Sequence, residues 1–272
     1  FYRTGGEYGV VARRPVAQAF DADVEPQILF DGDAEGKDQA YFDTGNIAHS
    51  PDHSKIAVAI DDKGSEFYTI SIRDTETGEV SEETIEDTTG SFVWGANSDV
   101  IFWVKRDENG RPSAVYQRVL GSGEDQLIYE ESDAGFFVGV SESDSGDYIM
   151  ISTGGHTTSE VHYFASDAIN PTLQTVAPRE TDVEYSVVDF DGEFYIATNV
   201  DGAVDFKLMK APIGSTEGKA AWEEVIPHRP GTLILGMQAY RDQLVRMERA
   251  GGLPRLVVRE RSDGSEHTIS FD

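Results

Sequence analysis

One short pattern of strands and turns recurs along the chain about every 45 residues. Residues 50–74 read SPDHSKIAVAIDDKGSEFYTISIRD, with two alternating runs on either side of the turn at Gly64. Side chains that alternate with a period of two predict β-strands. Glycine suits the turn between them because it tolerates positive φ. A chain that keeps this spacing is strongly limited in the folds it can adopt.

The turns of this pattern can be followed through five repeats. The turn within each repeat falls at Gly64, Gly110, Gly154, Gly202 and Gly251. These glycines are spaced by 44 to 49 residues. The turn that precedes it recurs at Pro51-Asp52-His53, Ala96-Asn97-Ser98, Asp144-Ser145-Gly146, Phe190-Asp191-Gly192 and Tyr240-Arg241-Asp242, and the turn that follows it recurs near Gly78, Gly121, Asp167, Gly214 and Gly264. Four strands in about 45 residues is the period of a β-propeller blade, whereas a β-sandwich has no reason to repeat its turns at a fixed interval.

We therefore predict an all-β fold, a β-propeller of four-stranded blades, with about five and a half blades present of an expected seven. The predicted organisation is a single propeller segment over 1–272: a partial blade at 1–30, a connector at 31–45, and blades at about 46–90, 91–135, 136–183, 184–231 and 232–272. Any helix is expected to be a short turn, near Ala220-Ala221-Trp222. The chain starts at Phe1 inside a predicted strand and stops short of a complete ring, so we expect a longer parent chain.

The net charge of the chain limits the classes of ligand that it can bind. Fifty acidic residues against 22 basic ones give a net charge of −28, which argues against binding to nucleic acid or to anionic membranes. Salt adaptation or simple solubility is the favoured origin of this charge, and the same surface attracts cationic ligands in either case. The chain has no cysteine, which excludes disulfides and favours a reducing compartment, and we expect a cytoplasmic protein. No run approaches the roughly 20 apolar residues that span a bilayer.

The motifs that suggest catalysis or metal binding are all incomplete. Gly139-Val140-Ser141-Glu142-Ser143 resembles the nucleophile elbow of a serine hydrolase but lacks the second glycine and a following helix. Asp31-Gly32-Asp33-Ala34-Glu35-Gly36 starts like a calcium loop, but Phe42 stands where a bidentate glutamate is needed. His49 and His53 are separated by Pro51, which forbids a shared helical face, so both are read as turn residues.

Two other polar patterns are also read as structural. Gly121-Ser122-Gly123 is too short to hold a phosphate. Adjacent acids on a strand point to opposite faces, and most are expected at solvated edges. These pairs are Asp61-Asp62, Glu82-Glu83, Glu130-Glu131 and Glu223-Glu224. The sequence thus predicts no catalytic, cofactor-binding or metal-ligating residue, and no cofactor.

Several stretches resemble the N-terminal propeller of the prolyl oligopeptidase family (peptidase S9), and within that family the oligopeptidase B (protease II) group. They are Ser50-Pro51-Asp52, Ile56-Ala57-Val58-Ala59-Ile60-Asp61, Gly64-Ser65-Glu66, Gly155-His156-Thr157-Thr158-Ser159-Glu160-Val161, Val176-Ala177-Pro178-Arg179, Phe194-Tyr195-Ile196-Ala197-Thr198-Asn199, Ile226-Pro227-His228-Arg229 and Leu253-Pro254-Arg255-Leu256. The resemblance runs over essentially all 272 residues.

This resemblance implies a serine peptidase of two domains. A seven-bladed propeller would gate access to a C-terminal α/β-hydrolase domain that carries the catalytic triad, and short cationic peptides would be cleaved after Arg or Lys. The chain itself holds no hydrolase domain and is expected to be inactive alone.

Two alternatives remain open. A stand-alone binding scaffold like the TolB propellers would need a closed ring. A glycan-processing propeller would need carboxylates in its channel.

Overall fold

The structure, a computed structural model, describes residues 1–21 and 23–270. These form two compact units, residues 1–127 and 128–272. The strands are β1 (Val10–Arg13), β2 (Gln27–Asp31), β3 (Asp43–His49), β4 (Lys55–Asp61), β5 (Tyr68–Asp74), β6 (Val80–Trp94), β7 (Val100–Arg106), β8 (Pro112–Val119), β9 (Asp125–Glu130), β10 (Phe137–Glu142), β11 (Tyr148–Gly154), β12 (Ser159–Ala165), β13 (Gln174–Ala177), β14 (Tyr185–Phe190), β15 (Glu193–Thr198), β16 (Lys207–Pro212), β17 (Glu223–Ile226), β18 (Thr232–Ala239), β19 (Gln243–Ala250), β20 (Leu253–Glu260) and β21 (Glu266–Thr268). The helices are α1 (Gly32–Gly36) and the 3₁₀ turns Val16–Gln18, Val200–Gly202 and Gly218–Ala221.

The first unit holds the antiparallel pair β1–β2 and strands β3 to β8 with the start of β9, which form a sheet in sequence order; the boundary between the units falls within β9. Strand β6 serves two successive sets of four strands, since it pairs with β5 on one side and with β7 on the other. Apolar residues from both sets share one core, which includes Ala59, Ile70, Phe92 and Trp103. Burial of this alternating apolar face stabilises the pair of sheets.

The second unit consists of three four-stranded antiparallel sheets, β10–β13, β14–β17 and β18–β21, each in sequence order. One apolar core joins the first and second sheets and includes Tyr163, Phe194 and Met209. Another joins the second and third sheets and includes Leu208 and Leu244. Repeated four-stranded sheets of this kind confirm the predicted all-β propeller class.

The turn glycines explain how the strands reverse. Gly64, Gly110, Gly202 and Gly251 adopt φ between +59° and +79°, as their predicted turns require. Gly154 is the exception among the five. It is the last residue of β11, and its φ is not positive. Local turn chemistry therefore places most strand boundaries where the repeat predicts them.

Two segments are more regular than the sequence suggested. The predicted boundary between two blades falls at about residue 90, but β6 continues without interruption to Trp94 through a bulge between Thr88 and Phe92. Gly90 within that bulge has φ of +83°, which lets the strand bend without ending. The stretch 31–45, expected to be a connector, holds the end of β2, α1 and the start of β3. In the described part of the chain, no helix has the length and apolar character needed to cross a bilayer.

Candidate functional site

A cleft lies between the first strands of two neighbouring sheets, β10 and β14, in the second unit. Its volume is about 260 Å³. Its lining includes the polar residues Glu142, Ser143, Asp144 and Asp189. It also includes the apolar or aromatic residues Met150, Val161, Tyr185, Val187 and Val188. The cleft can therefore hold a group with an apolar stem and a polar end.

A second pocket of about 250 Å³ lies where the turns that follow β10, β14 and β18 meet. Asp144 and Asp189 line both this pocket and the cleft. The guanidinium of Arg261 lies at the rim and pairs with Asp191 at 2.5 Å. The two cavities thus share a pair of carboxylates. Two arginines, Arg241 and Arg261, line the second pocket, and Arg261 is paired with Asp191.

Asp189 is the buried member of this carboxylate pair. It is 5% exposed. Its carboxylate accepts hydrogen bonds from the hydroxyl of Ser143 and the backbone N–H of Ser145, both at 3.3 Å. No lysine, arginine or histidine of the described residues lies within 4.0 Å of it. The strand pattern explains its burial, because Tyr185, Val187 and Asp189 follow one another on the same face of β14.

Asp144 lies on the turn after β10 and reaches across to the third sheet of its unit. The backbone N–H of Ala239 donates to its carboxylate at 2.5 Å. Burial, with a smaller repulsion from Asp189, raises the pKa of Asp144 above its usual range despite this hydrogen bond. An added cation would lower the pKa of Asp144 again, so the pair favours a positive ligand.

A second polar cluster in the same unit has Arg179 at its centre. Its guanidinium donates to Glu131 at 2.5 Å and its backbone N–H donates to Glu160 at 2.6 Å. Burial raises the pKa of Tyr129 to about 12, and its hydroxyl donates to Glu131 as well. Every charge in this cluster has an opposite charge beside it. We therefore interpret it as a structural network that fixes the loops after β9 and β13.

A third charged cluster lies in the last sheet, around the fully buried Arg246. Its guanidinium donates to Glu248 at 2.6 Å and makes two bonds to Glu266 at 2.7 and 2.8 Å. Arg255 pairs with Glu248 from the other side at 2.6 Å. This cluster is also balanced in charge, because each of its carboxylates is paired with arginine.

The structure places the residues of the incomplete motifs as follows. Ser141 lies on β10, beside the cleft and on a strand rather than on an elbow. Asp31 caps α1 by accepting from Ala34 and pairs with Arg3 at 2.5 Å. Phe42 is buried in the core of the first unit. The carboxylates of the calcium-like loop therefore have structural partners within the chain.

The histidine pair and the short glycine turn have structural roles too. His49 is the last residue of β3, and its ring stacks on that of His53 with centroids 4.2 Å apart. The backbone N–H of Gly121 donates to Glu83 at 2.6 Å, so its turn already holds a carboxylate of the chain. No group of three or more potential metal ligands is placed to hold an ion in residues 1–21 and 23–270.

Five of the eight acids in the four adjacent pairs are exposed, as predicted for most of them, and three pairs direct one member inward. Asp61 is buried and accepts backbone N–H groups of its own turn. Glu131 is buried against Arg179, and Glu83 is half-buried against Arg118. Only the pair Glu223-Glu224 is exposed at both positions. Alternation along a strand sends one acid of a pair inward, and distant arginines or turn amides then stabilise it.

Sequence reasoning identified Asp144 only as a turn residue and did not single out Asp189. The available signal was an acid two positions after Val187 in an alternating strand, where the buried face is otherwise apolar. A charged residue on a core face indicates either an ion pair or a ligand site.

Residues 1–272 match the family described as prolyl oligopeptidase, N-terminal beta-propeller domain. Among curated proteins, the dipeptidyl aminopeptidase BI of Pseudoxanthomonas mexicana is 33% identical over 99% of this chain and 39% of its own length. Protease 2 of Moraxella lacunata is 30% identical over 98% of this chain and 38% of its own length. The chain thus spans about two fifths of the length of these relatives.

Solved structures give the same result. Oligopeptidase B from Leishmania major superposes with a TM-score of 0.91 at 25% identity, over 98% of this chain and 39% of that one. Oligopeptidase B from Trypanosoma brucei, with covalently bound antipain in a closed form, superposes with a TM-score of 0.89 at 25% identity, over 99% and 39%.

Proposed function

Because the chain belongs to the prolyl oligopeptidase family, as its N-terminal β-propeller domain, we propose that the protein containing it is a serine oligopeptidase that cleaves short peptides after Arg or Lys. The propeller would act as a size filter and the catalysis would reside in a C-terminal α/β-hydrolase domain. The observation that carries this proposal is the family match over all 272 residues.

Two further observations support a preference for basic peptides. The net charge of −28 attracts cationic substrates and speeds their encounter with the protein. The cleft between β10 and β14 is lined by the acidic residues Glu142, Asp144 and Asp189, and none of the described residues that line it is cationic. Both features act on the approach of the peptide and require no catalytic residue in the propeller.

A dipeptidyl aminopeptidase is the second candidate activity. It is favoured by the 33% identity to the dipeptidyl aminopeptidase BI of Pseudoxanthomonas mexicana. An aminopeptidase of this type needs a free α-amino group on its substrate, whereas an oligopeptidase also accepts a blocked N-terminus. The two candidates therefore differ in a property that one substrate pair can test.

The test uses the full-length protein with two fluorogenic substrates, Arg-Arg-aminomethylcoumarin with a free N-terminus and the same peptide with a benzyloxycarbonyl block. Hydrolysis of both supports the oligopeptidase, and hydrolysis of the free form alone supports the dipeptidyl aminopeptidase. A serine-reactive fluorophosphonate probe should label the protein and abolish either activity. Absence of both labelling and hydrolysis would overturn the proposal.

The size filter needs its own experiment. A peptide of about ten residues with one arginine should be cleaved, while the same sequence inserted in a surface loop of a folded domain should stay intact. Cleavage of both at similar rates would rule out a filter, because a folded domain is too wide for the narrow access that the filter requires.

We also propose a cytoplasmic location, which is supported by the absence of cysteine. Cell fractionation with an antibody against the chain tests this, and recovery in a secreted or periplasmic fraction would contradict it.

A further inference from the structure

We infer that the cleft between β10 and β14 is a subsite for one basic side chain of a bound peptide, with Asp189 as its anionic partner. This inference rests on the proposed peptidase function for its natural ligand, but not for the binding itself. It assigns to the propeller a direct contact with the substrate, in addition to control of access.

The first argument is the state of Asp189 compared with the other buried carboxylates. Among the described residues, Asp61, Glu131, Asp189 and Glu248 are the acidic side chains that are at least nine-tenths buried. Glu131 and Glu248 are each paired with arginine at 2.5 to 2.6 Å. Asp61 accepts three backbone N–H groups at 2.7 to 3.0 Å. Each of these charges is therefore compensated.

Asp189 has much weaker compensation. Its two hydrogen bonds are both 3.3 Å long and it has no cationic partner. A buried charge that lacks a partner costs free energy, so such groups are normally paired or bind a ligand. Since Asp189 lines both the cleft and the adjoining pocket, a cation that enters either cavity can reach it.

The second argument is the size and lining of the cleft. A volume of about 260 Å³ is below the range of pockets that take whole small molecules, roughly 300–1,000 Å³, and suits a single side chain. The wall formed by Met150, Val161 and Val187 is apolar and can cover the aliphatic part of an arginine or lysine. Apolar side chains do not coordinate a bare metal ion, so this wall favours an organic cation.

The third argument is the electrostatic surroundings of Asp189. Asp144 lines both cavities, and repulsion from Asp189 contributes to its raised pKa. A guanidinium or ammonium group between the two carboxylates removes this repulsion and supplies donors to both. Arg241 and Arg261 line the adjoining pocket, but neither forms an ion pair with Asp189, and Arg261 is held by Asp191.

The kinetic test uses the full-length protein and peptides with one cleaved arginine and a second arginine moved through the other positions. In the wild-type protein, one position should lower KM relative to a norleucine at the same place. Asp189→Asn should remove this advantage, by about tenfold in KM, which corresponds to ~1.4 kcal/mol, and should leave the norleucine peptide unchanged. The matched control Asp167→Asn removes the same charge from an exposed turn outside both cavities and should keep the advantage.

The binding test does not depend on hydrolysis. Agmatine is titrated calorimetrically into the full-length protein after its reactive serine has been blocked. Binding that is lost in Asp189→Asn and kept in Asp167→Asn supports the subsite. Equal binding in both variants, or no binding to the wild-type protein, overturns it even if the peptidase activity is present.

A further variant guards against a folding defect. Ser152→Leu places an apolar side chain into the cleft from β11 and leaves Asp189 and its turn untouched. It should also abolish agmatine binding, while circular dichroism and the unfolding midpoint stay close to wild type. Unchanged agmatine affinity in this variant would show that the ligand does not occupy the cleft.

Discussion

Replacement of the buried Arg246 by methionine tests whether its charge network holds the last sheet together. Arg246 is 1% exposed, and its neighbour Glu248 is equally buried. The substitution Arg246→Met keeps an unbranched side chain of adequate length and removes only the guanidinium. It deletes three charge-assisted hydrogen bonds, one to Glu248 and two to Glu266.

The expected cost follows from what remains after the substitution. Three such bonds, at about 1.5–3 kcal/mol each, set an upper limit. Glu248 keeps its pair with Arg255 at 2.6 Å, and Glu266 keeps Arg259 at 3.2 Å. Removal of one partner from a buried ion pair costs about 3–5 kcal/mol, and we expect the free energy of unfolding to fall within that range.

Arg261→Met supplies the matched control. Arg261 pairs with Asp191 at 2.5 Å with equally good geometry, but the two side chains are 46% and 47% exposed. Solvent screening limits such a pair to under about 1 kcal/mol. Urea denaturation followed by far-ultraviolet circular dichroism measures both variants. If the two lose the same free energy, burial is not what gives the Arg246 network its strength and the reasoning is refuted.

The effect of Arg246→Met should also depend on pH. Arg246 lowers the pKa of Glu266, and for Glu248 the bonds to Arg246 and Arg255 outweigh burial, which alone would raise its pKa. A carboxylate with a lowered pKa in the folded state stabilises the fold above its unfolded pKa of about 4.3. This contribution is lost as the pH falls through the folded pKa. The difference between wild type and Arg246→Met should therefore shrink in acid, and a constant difference down to pH 2 would contradict the assignment.

Three further substitutions test individual contacts through the same unfolding measurement. Gly45→Ala should lower the free energy of unfolding by about 3 kcal/mol, because its Cβ would lie 2.8 Å from the Cα of Gly90. Gly110→Ala, with φ of +79° and open space around it, should lower it by about 1 kcal/mol. Equal losses in the two variants would contradict the close approach at Gly45. Tyr185→Phe should lower the free energy of unfolding by about 2 kcal/mol, since its buried hydroxyl donates to a backbone carbonyl at 2.6 Å and accepts from a backbone N–H at 2.9 Å. Burial also raises the pKa of this phenol to about 12, so the variant should lose one of the high-pH steps of a tyrosine absorbance titration. Asp61→Asn should lower the free energy of unfolding by about 1–3 kcal/mol at neutral pH and by less in acid, because turn amides lower the pKa of this carboxyl despite its burial. A loss that does not diminish in acid would argue against this cause.

The sequence predicted the strands of this protein well because their signal is local. Alternation over 55–61 and 68–74 corresponds to β4 and β5, and the turn at Gly64 between them adopts the expected positive φ. The same holds for β15, β19 and β20. Neighbouring residues in the chain determine these features, so no distant contact is needed to locate them.

The continuity of strand β6 could not be predicted from neighbouring residues alone. Residues 86–91 read EDTTGS, which suggests a break between repeats. The structure keeps them extended because Thr88 pairs with Tyr68 on one side and with Lys105 on the other. Pairing on two edges stabilises a segment whose own composition does not favour a strand.

The candidate site could not be predicted from the sequence, for a similar reason. Asp189 and Asp144 are 45 positions apart, and nothing local indicates that both line one cavity. The partners that distinguish a compensated acid from an uncompensated one are equally distant, as Arg179 is from Glu131. Adjacent acids therefore looked alike in the sequence although their surroundings differ.

The repeat, the strand alternation, most turn positions and the acidic charge follow from the order of the amino acids, because each depends on residues close together in the chain or on composition alone. The tertiary structure decided which acids are buried, which arginines neutralise them and which carboxylate is left facing a cavity. These outcomes depend on sheets that pack against each other, and the free energy of a buried charge is set by the partners that packing brings within hydrogen-bonding distance.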